Sequence, residues 1–430
     1  MTGSQAATLF LGIAVILLLA RLLGAGAKAI GQPPVLGEIL GGILLGPTLF
    51  NGAVARHLFP ASVGPFLSAL ANLGLILFMF VIGFELEHSL VRGRGRIAAA
   101  VSLSSILLPF GLGVVLALHL SHRHPAHSTA GFVLFFGAAM SVTAFPVLAR
   151  ILTDRGMQRT PVGSLALACA AVDDLLAWSL LAVVTTIASG TGQWHTLLAP
   201  VYLALMIGVV RPLFRRLFAT HSTSGRLSPQ VLTPVLIGLM LSCWATEWMG
   251  VHFIFGAFVF GLVMPRGGPQ VVREGLLNSF ENVGMVFLLP VFFVTAGLKV
   301  DLSHLSTRDL GELGLILLVA ISGKFIGAFT GAKLQGVSTR HSGVLATLMN
   351  TRGLTELVIL TVGVQLGVLD KGLYSLMVVM AMVTTFMAGP ILRLIYPTEQ
   401  IERDTLPASL VVVEPNLESE REAERVAHSA

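Results

Sequence analysis

Cysteine is nearly absent. The 430 residues hold two, Cys169 and Cys243, and both fall inside apolar runs. Two isolated thiols exclude a disulfide framework and a cysteine-built metal site. Charge is scarce as well. Asp, Glu, Lys and Arg make up 11% of the chain, against about 25% in soluble domains, while 54% of residues are hydrophobic. That balance excludes an ordinary soluble domain, and the net charge of +5 is then no nucleic-acid footprint. The start, "MTGSQAATLF", lacks a basic n-region and a small-residue cleavage site, so no cleaved signal peptide is expected. Long polar stretches are missing before residue 396. Residues 396–430 read as a short, partly disordered cytoplasmic tail. Such a tail falls below the roughly 100 residues that a nucleotide-binding regulatory domain needs.

What fills the chain is a series of apolar runs of roughly 20 residues, and mean hydropathy is +0.85. In lipid every backbone polar group needs an internal partner, which leaves helices or closed barrels. These runs are too long and continuous for barrel strands. The expectation is an all-α polytopic membrane protein with thirteen spans. They lie at 6–28, 33–50, 63–86, 97–119, 128–152, 161–190, 195–218, 229–249, 251–266, 278–298, 311–333, 341–366 and 372–395. Lysine and arginine set its orientation. Seventeen of them fall in one set of loops, among them Arg92, Arg94, Arg96, Arg150, Arg155, Arg159, Arg226 and Arg266, and five in the alternate set. The richer set is read as cytoplasmic, with the N-terminus outside and the C-terminus inside a bacterial cell membrane.

The two halves echo each other. Span three ends "FMFVIGFELEHSL" and span ten "VFFVTAGLKVDLSHL", each with a glycine, Gly83 or Gly297, before a charged exit. Span five holds "SVTAFPVLARIL" and span twelve "NTRGLTELVIL", and both interrupt an apolar helix with polar or helix-breaking residues. Each pair is seven spans apart, so the partners run in opposite directions. Inverted repeats with one interrupted helix per half point to a secondary transporter with a site near the membrane midplane.

Charges inside the spans locate that site. "ALACAAVDDLLAWSLLAVV" puts Asp173 and Asp174 side by side in span six. One acid at a helix centre costs about 2.5–3.5 kcal/mol on insertion scales. Successive helical positions are about 100° apart, so the two acids face different ways. One can address an aqueous cavity and the other a neighbouring helix that supplies a cation. Lys324 in "AISGKFIGAFTGAKL" is the lysine at mid-span depth, and Gly323, Gly327 and Gly331 allow its helix a close approach. Ser141 and Thr143 precede Pro146 in span five, and Thr351 precedes Arg352 and Gly353 in span twelve. These are candidates for groups at or near the ion, because an unwound helix exposes carbonyls, amides and half-helix ends. Arg352 and Glu356 are four apart and read as an intrahelical pair that steadies the break. The run "HLSHRHPAH", with His119, His122, His124 and His127, reads as a flexible outer loop rather than a pH sensor or zinc site. Glu38 is read as a cavity-rim or interfacial acid, and Glu247 and His252 as interfacial residues.

"AAVDDLLAWSLL", "SVTAFPVLARIL", "GVHFIFGAFVFGLVMPR", "LPVFFVTAGLKVDL" and "MNTRGLTELVIL", in this order, resemble the monovalent cation/proton antiporter family. The likeness is to the branch with bacterial sodium or potassium/proton antiporters and plant cation/proton exchangers, and it spans nearly all of residues 6–395. It implies that the second acid, Asp174, carries the ion and the proton. It implies that an acid at the first position, Asp173, pairs with Lys324. Members described as electroneutral commonly carry asparagine at that first position and potassium-efflux types glutamine, and this chain has neither. The resemblance also implies a moving core of spans 4–6 and 11–13 on a static platform of spans 1–3 and 8–10 that forms a homodimer. Neither enzyme activity, a cofactor nor a metal beyond the transported cation is expected. An intramembrane aspartyl protease is disfavoured, since its two acids face each other from different helices. Other readings are an ion-sensing membrane protein or channel subunit without exchange, and an organic-anion symporter of similar architecture.

Overall fold

The computed structural model describes residues 2–49, 52–85, 95–126, 128–158, 160–188, 198–220, 229–265, 270–303 and 306–405. Their regular structure is helical. In the first half come α1 (Gly3–Ala29), α2 (Pro34–Leu45), α3 (Ala53–Leu58), α4 (Gly64–Glu85), α5 (Gly95–Leu120), α6 (Thr129–Ser141), α7 (Phe145–Asp154) and α8 (Pro161–Ala188). Then follow α9 (Ala199–Leu205), α10 (Arg211–Thr220), α11 (Pro229–Trp248), α12 (Phe253–Val263), α13 (Gln270–Val283) and α14 (Leu289–Gly297). The last group is α15 (Thr307–Leu334), α16 (Thr339–Met349), α17 (Leu354–Gln365), α18 (Lys371–Ile395) and α19 (Thr398–Thr405). Single π-helical turns join α9 to α10 and α13 to α14. Eight helical stretches among the described residues are long and apolar enough to cross a membrane.

Two runs form shorter helices than the apolar pattern predicts. The run at 33–50 yields the 12-residue α2, and that at 251–266 the 11-residue α12. At 1.5 Å per residue each is about 18 Å or less, short of a bilayer core of about 30 Å. Proline sets the limit in both. Pro47 follows the C-cap Gly46, and Pro265 follows the C-cap Met264, and proline disfavours helical backbone in the residue before it. The tail's residues 398–405 form α19. Residues 406–430, the loop arginines 92, 94, 159, 226 and 266, and His127 lie outside the described residues.

The helices pack in two sets. In one, α1, α2 and α14 pack together, α4 lies along α12 and α14, and α11 along α12. In the other, α5 packs on α15, α6 and α8, while α16 packs on α8, α15 and α18. The sets touch where α14 meets α17. The α5–α15 contact is the closest kind. A Cβ on Gly323 would sit 2.9 Å from Pro109 Cα, and one on Gly327 would sit 2.5 Å from the Ser104 carbonyl oxygen. Small residues at a crossing let backbones touch where lipid supplies no hydrophobic drive to join helices. Lys324 lies on α15 between these two glycines.

Both interrupted helices are present. The backbone leaves the helix at Val142, Thr143 and Ala144, between α6 and α7, and again over 350–353, between α16 and α17. Pro146 sits in the first turn of α7, where its missing N–H needs no intrahelical acceptor. The two breaks cross. The Ala144 N–H donates to the Thr351 carbonyl at 3.0 Å, and Thr143 Oγ1 donates to the Met349 carbonyl at 2.9 Å.

Candidate functional site

Asp173 and Asp174 lie on α8 where α5, α7 and α15 approach it. Asp173 is fully buried. Its Oδ2 is 3.1 Å from Lys324 Nζ, and its Oδ1 accepts from Ser105 Oγ of α5 at 3.3 Å. Lys324, also fully buried, donates a second bond to Thr143 Oγ1 at 2.7 Å. Thr143 is therefore a relay: it accepts from the lysine and donates to the Met349 carbonyl at the other break. Charge, first break and second break are joined through one hydroxyl.

Asp174 faces elsewhere. It is 1% exposed, and its Oδ1 has no hydrogen-bond partner among the described residues. Phe145, in the first turn of α7, lies beside its carboxyl. Helix N-termini favour negative charge because their first N–H groups lack intrahelical acceptors. An acid that is buried, half-satisfied and set at a helix end is open to a proton or a small cation.

Arg352 does more than pair with Glu356. The sequence places them on one helix face, but Arg352 precedes the first turn of α17 and lies in the break. Its Nη1 meets Glu356 Oε2 at 2.7 Å and the Ala139 carbonyl at 2.8 Å. Its Nη2 donates to the Met140 carbonyl at 2.5 Å. A cation thus caps the C-terminal carbonyls of α6, where the helix dipole is negative. Ser141 and Thr351 are not brought to the acids by their hydroxyls. Each bonds the carbonyl three residues earlier, at Ala138 and Leu348 respectively. Sequence reasoning missed Ser105, which bonds Asp173, and Thr385, whose hydroxyl bonds the Arg352 backbone. The signal available was weak: hydroxyls in "SLSS" and "VTTF" within apolar runs, which usually bond their own helix.

The histidine run departs from the flexible loop expected of it. His122 is exposed, but His124 Nε2 lies 3.1 Å from Glu312 Oε2 on α15, and its Nδ1 bonds Asp370, the N-cap of α18. Arg123 bonds Glu312 and lies 3.6 Å from Asp309. Glu247 accepts from the Phe253 N–H at 2.8 Å, His252 lies 3.3 Å from Gln365, and Glu38 packs beside Gly24 of α1.

Buried acids inside a helix bundle with two crossed interrupted helices are the architecture of a membrane secondary transporter. The family model for the transmembrane sodium/hydrogen exchanger matches residues 14–396, and the chain belongs to that family. It is 41% identical over 396 residues to the Na(+)/H(+) antiporter NhaS4 of Synechocystis, covering 90% of this chain and 96% of that protein. It is 37% identical to Cation/H(+) antiporter 20 of Arabidopsis thaliana and 34% identical to K(+)/H(+) antiporter 1 of Saccharomyces cerevisiae. Of those two it spans 48% and 47% of the length. Its fold is similar to that of the sodium proton antiporter MjNhaP1 from Methanocaldococcus jannaschii, with TM-score 0.65 and 15% identity over 94% of this chain and all of that one.

Proposed function

We propose that the chain exchanges a monovalent cation, Na+ or K+, for H+ by alternating access at Asp174. The asymmetry of the acid pair carries this reading. Asp173 already holds a lysine and a serine, whereas Asp174 keeps an unpartnered oxygen beside the crossing. Carboxylate oxygen is a hard donor suited to such cations. A carboxylate removed from water favours its neutral form, so a proton and a cation compete for one group. Exclusive occupancy couples the two flows. An organic-anion symporter would present cations at this point rather than a free acid.

The helix set containing both acids and both breaks is the moving core in this reading, residues of spans 4–6 and 11–13. The set of α1, α2, α4 and α11–α14 is the platform, spans 1–3 and 8–10 within 1–395, through which a homodimer forms. The packing of each set within itself supports the division. The arginine and lysine asymmetry supports an external N-terminus and a cytoplasmic C-terminus in a bacterial membrane. If Lys324 leaves Asp173 when the cation binds, a second proton exchanges and each turnover moves one charge. That charge is worth about 2.3 kcal/mol per 100 mV, against about 1.36 kcal/mol per pH unit.

The test is purified protein in proteoliposomes, with proton movement driven in turn by sodium, potassium and lithium gradients. Asp174→Asn should abolish cation-dependent proton movement while the protein stays folded. Full exchange by that variant refutes the site. Cation flux without counter-moving protons would favour a channel subunit.

A further inference from the structure

We infer that Thr385 of α18 is a positioning residue for the cation site, holding the second interrupted helix in the shape that presents the first to Asp174. The inference rests on the reading of Asp174 given above.

The unwound residues 350–353 have backbone groups that no helix satisfies, and each needs another partner at this depth. The Thr351 carbonyl accepts from Ala144 of the first break. For Arg352, Thr385 serves both groups. The Arg352 N–H donates to Thr385 Oγ1 at 2.9 Å, and the same hydroxyl donates its proton to the Arg352 carbonyl. A hydroxyl has one proton and two lone pairs, so one side chain can satisfy a donor and an acceptor together. Arg352 is 1% exposed and Thr385 fully buried, leaving no route for bulk water to replace it.

Its neighbour shows that this is not ordinary threonine behaviour. Thr384 Oγ1 bonds Met380 and Ala381 carbonyls of its own helix, as threonine in an apolar helix usually does. Thr385 bonds outward, across 33 residues of sequence. From there the chain of contacts is short. Arg352 caps the Ala139 and Met140 carbonyls at the end of α6. Thr351 holds Ala144, and the next residue, Phe145, opens α7 beside the Asp174 carboxyl. Loss of the Thr385 hydroxyl should therefore be felt at the carboxylate as altered ion affinity.

The experiment measures KM for sodium and potassium and the pH profile of exchange in proteoliposomes. Thr385→Val keeps the shape but removes the hydroxyl. It should raise KM about tenfold, the order expected when its two buried hydrogen bonds are lost, and shift the pH profile. Thr385→Ser should stay within about twofold of the parent, and Thr384→Val should leave KM unchanged. Should the valine variant not fold, Thr385→Cys, a weak donor and acceptor, should give an intermediate KM. A folded Thr385→Val or Thr385→Cys with parental KM and pH profile overturns the inference. So does a serine variant as impaired as the valine one, or an equal shift from Thr384→Val. Exchange retained by Asp174→Asn defeats the site reading instead, whatever Thr385 does.

Discussion

Lys324→Ala is the perturbation that probes the acid pair most directly. The lysine makes two buried contacts, 3.1 Å to Asp173 and 2.7 Å to Thr143. Truncation removes both and leaves Asp173 without its cation. Breaking a buried pair in this way typically costs about 3–5 kcal/mol. Here the cost should fall at the lower end, because Ser105 still donates to Asp173 Oδ1 at 3.3 Å and the acid can take up a proton. Asp173→Asn alone leaves Lys324 buried with Thr143 as acceptor, also a loss. The double variant Asp173→Asn with Lys324→Gln carries no lone charge and should recover much of the stability. A double-mutant cycle on thermal unfolding of the purified protein, with Asp173→Asn and Lys324→Gln as its single variants, reads the coupling. We expect at least about 1.5 kcal/mol, well beyond the roughly 0.5 kcal/mol within which independent sites add. The double variant should also show weaker voltage dependence of exchange. Additive effects at the two positions would show that the ion pair contributes nothing of its own, and the role given to Lys324 would fall with it.

Arg352→Met should destabilise more than an exposed arginine loss, by about 3–5 kcal/mol, because it strands Glu356 and two α6 carbonyls in the interior; unfolding within about 1 kcal/mol of the parent would contradict the cap. Gly327→Val drives a side chain into the Ser104 carbonyl and should lower the melting temperature sharply, whereas Gly336→Ala, at a turn with open space, should cost far less despite its positive φ. His124 titrates above the ordinary histidine range, chiefly through its bond to Asp370, with burial opposing and Glu312 assisting. A raised folded-state pKa means that its contribution is complete below about pH 6.5 and is lost as pH rises through the raised value. The parent should therefore lose melting temperature between neutral and alkaline pH relative to His124→Gln; parallel curves would show that the Glu312–Asp370 clasp is not proton-dependent.

The parts of this molecule that local chemistry determines were legible in the sequence. Apolar runs mark the long helices, Pro146 and Gly353 mark the two breaks, and adjacent aspartates in an apolar run mark the acids. Lys324 could be nominated because it is a lysine at mid-span depth with glycines beside it. What escaped were the contacts whose distant partner carries no mark in the local sequence. Thr384 and Thr385 look alike in sequence, and only the fold turns one toward its own helix and the other toward Arg352. His124 reads as a loop residue until Glu312 and Asp370, 188 and 246 residues away, are brought to its ring. α2 is shorter than its apolar run because Leu49 and Phe50 continue the run past Gly46, whereas the helix cannot continue into Pro47.

The ion pair also orders events during synthesis. Asp173 and Lys324 are 151 residues apart, and the lysine is made second. At about 5–20 residues per second, the acid waits roughly 8–30 s for its counter-ion. In that interval the partner at hand is Ser105, which is 68 residues earlier and leaves the ribosome first. A first half without the second thus carries an unneutralised acid in a membrane helix, and α15 brings both the missing charge and the glycine face that fits α5. Assembly of the site is a late event, completed by the second half arriving rather than by the first half folding.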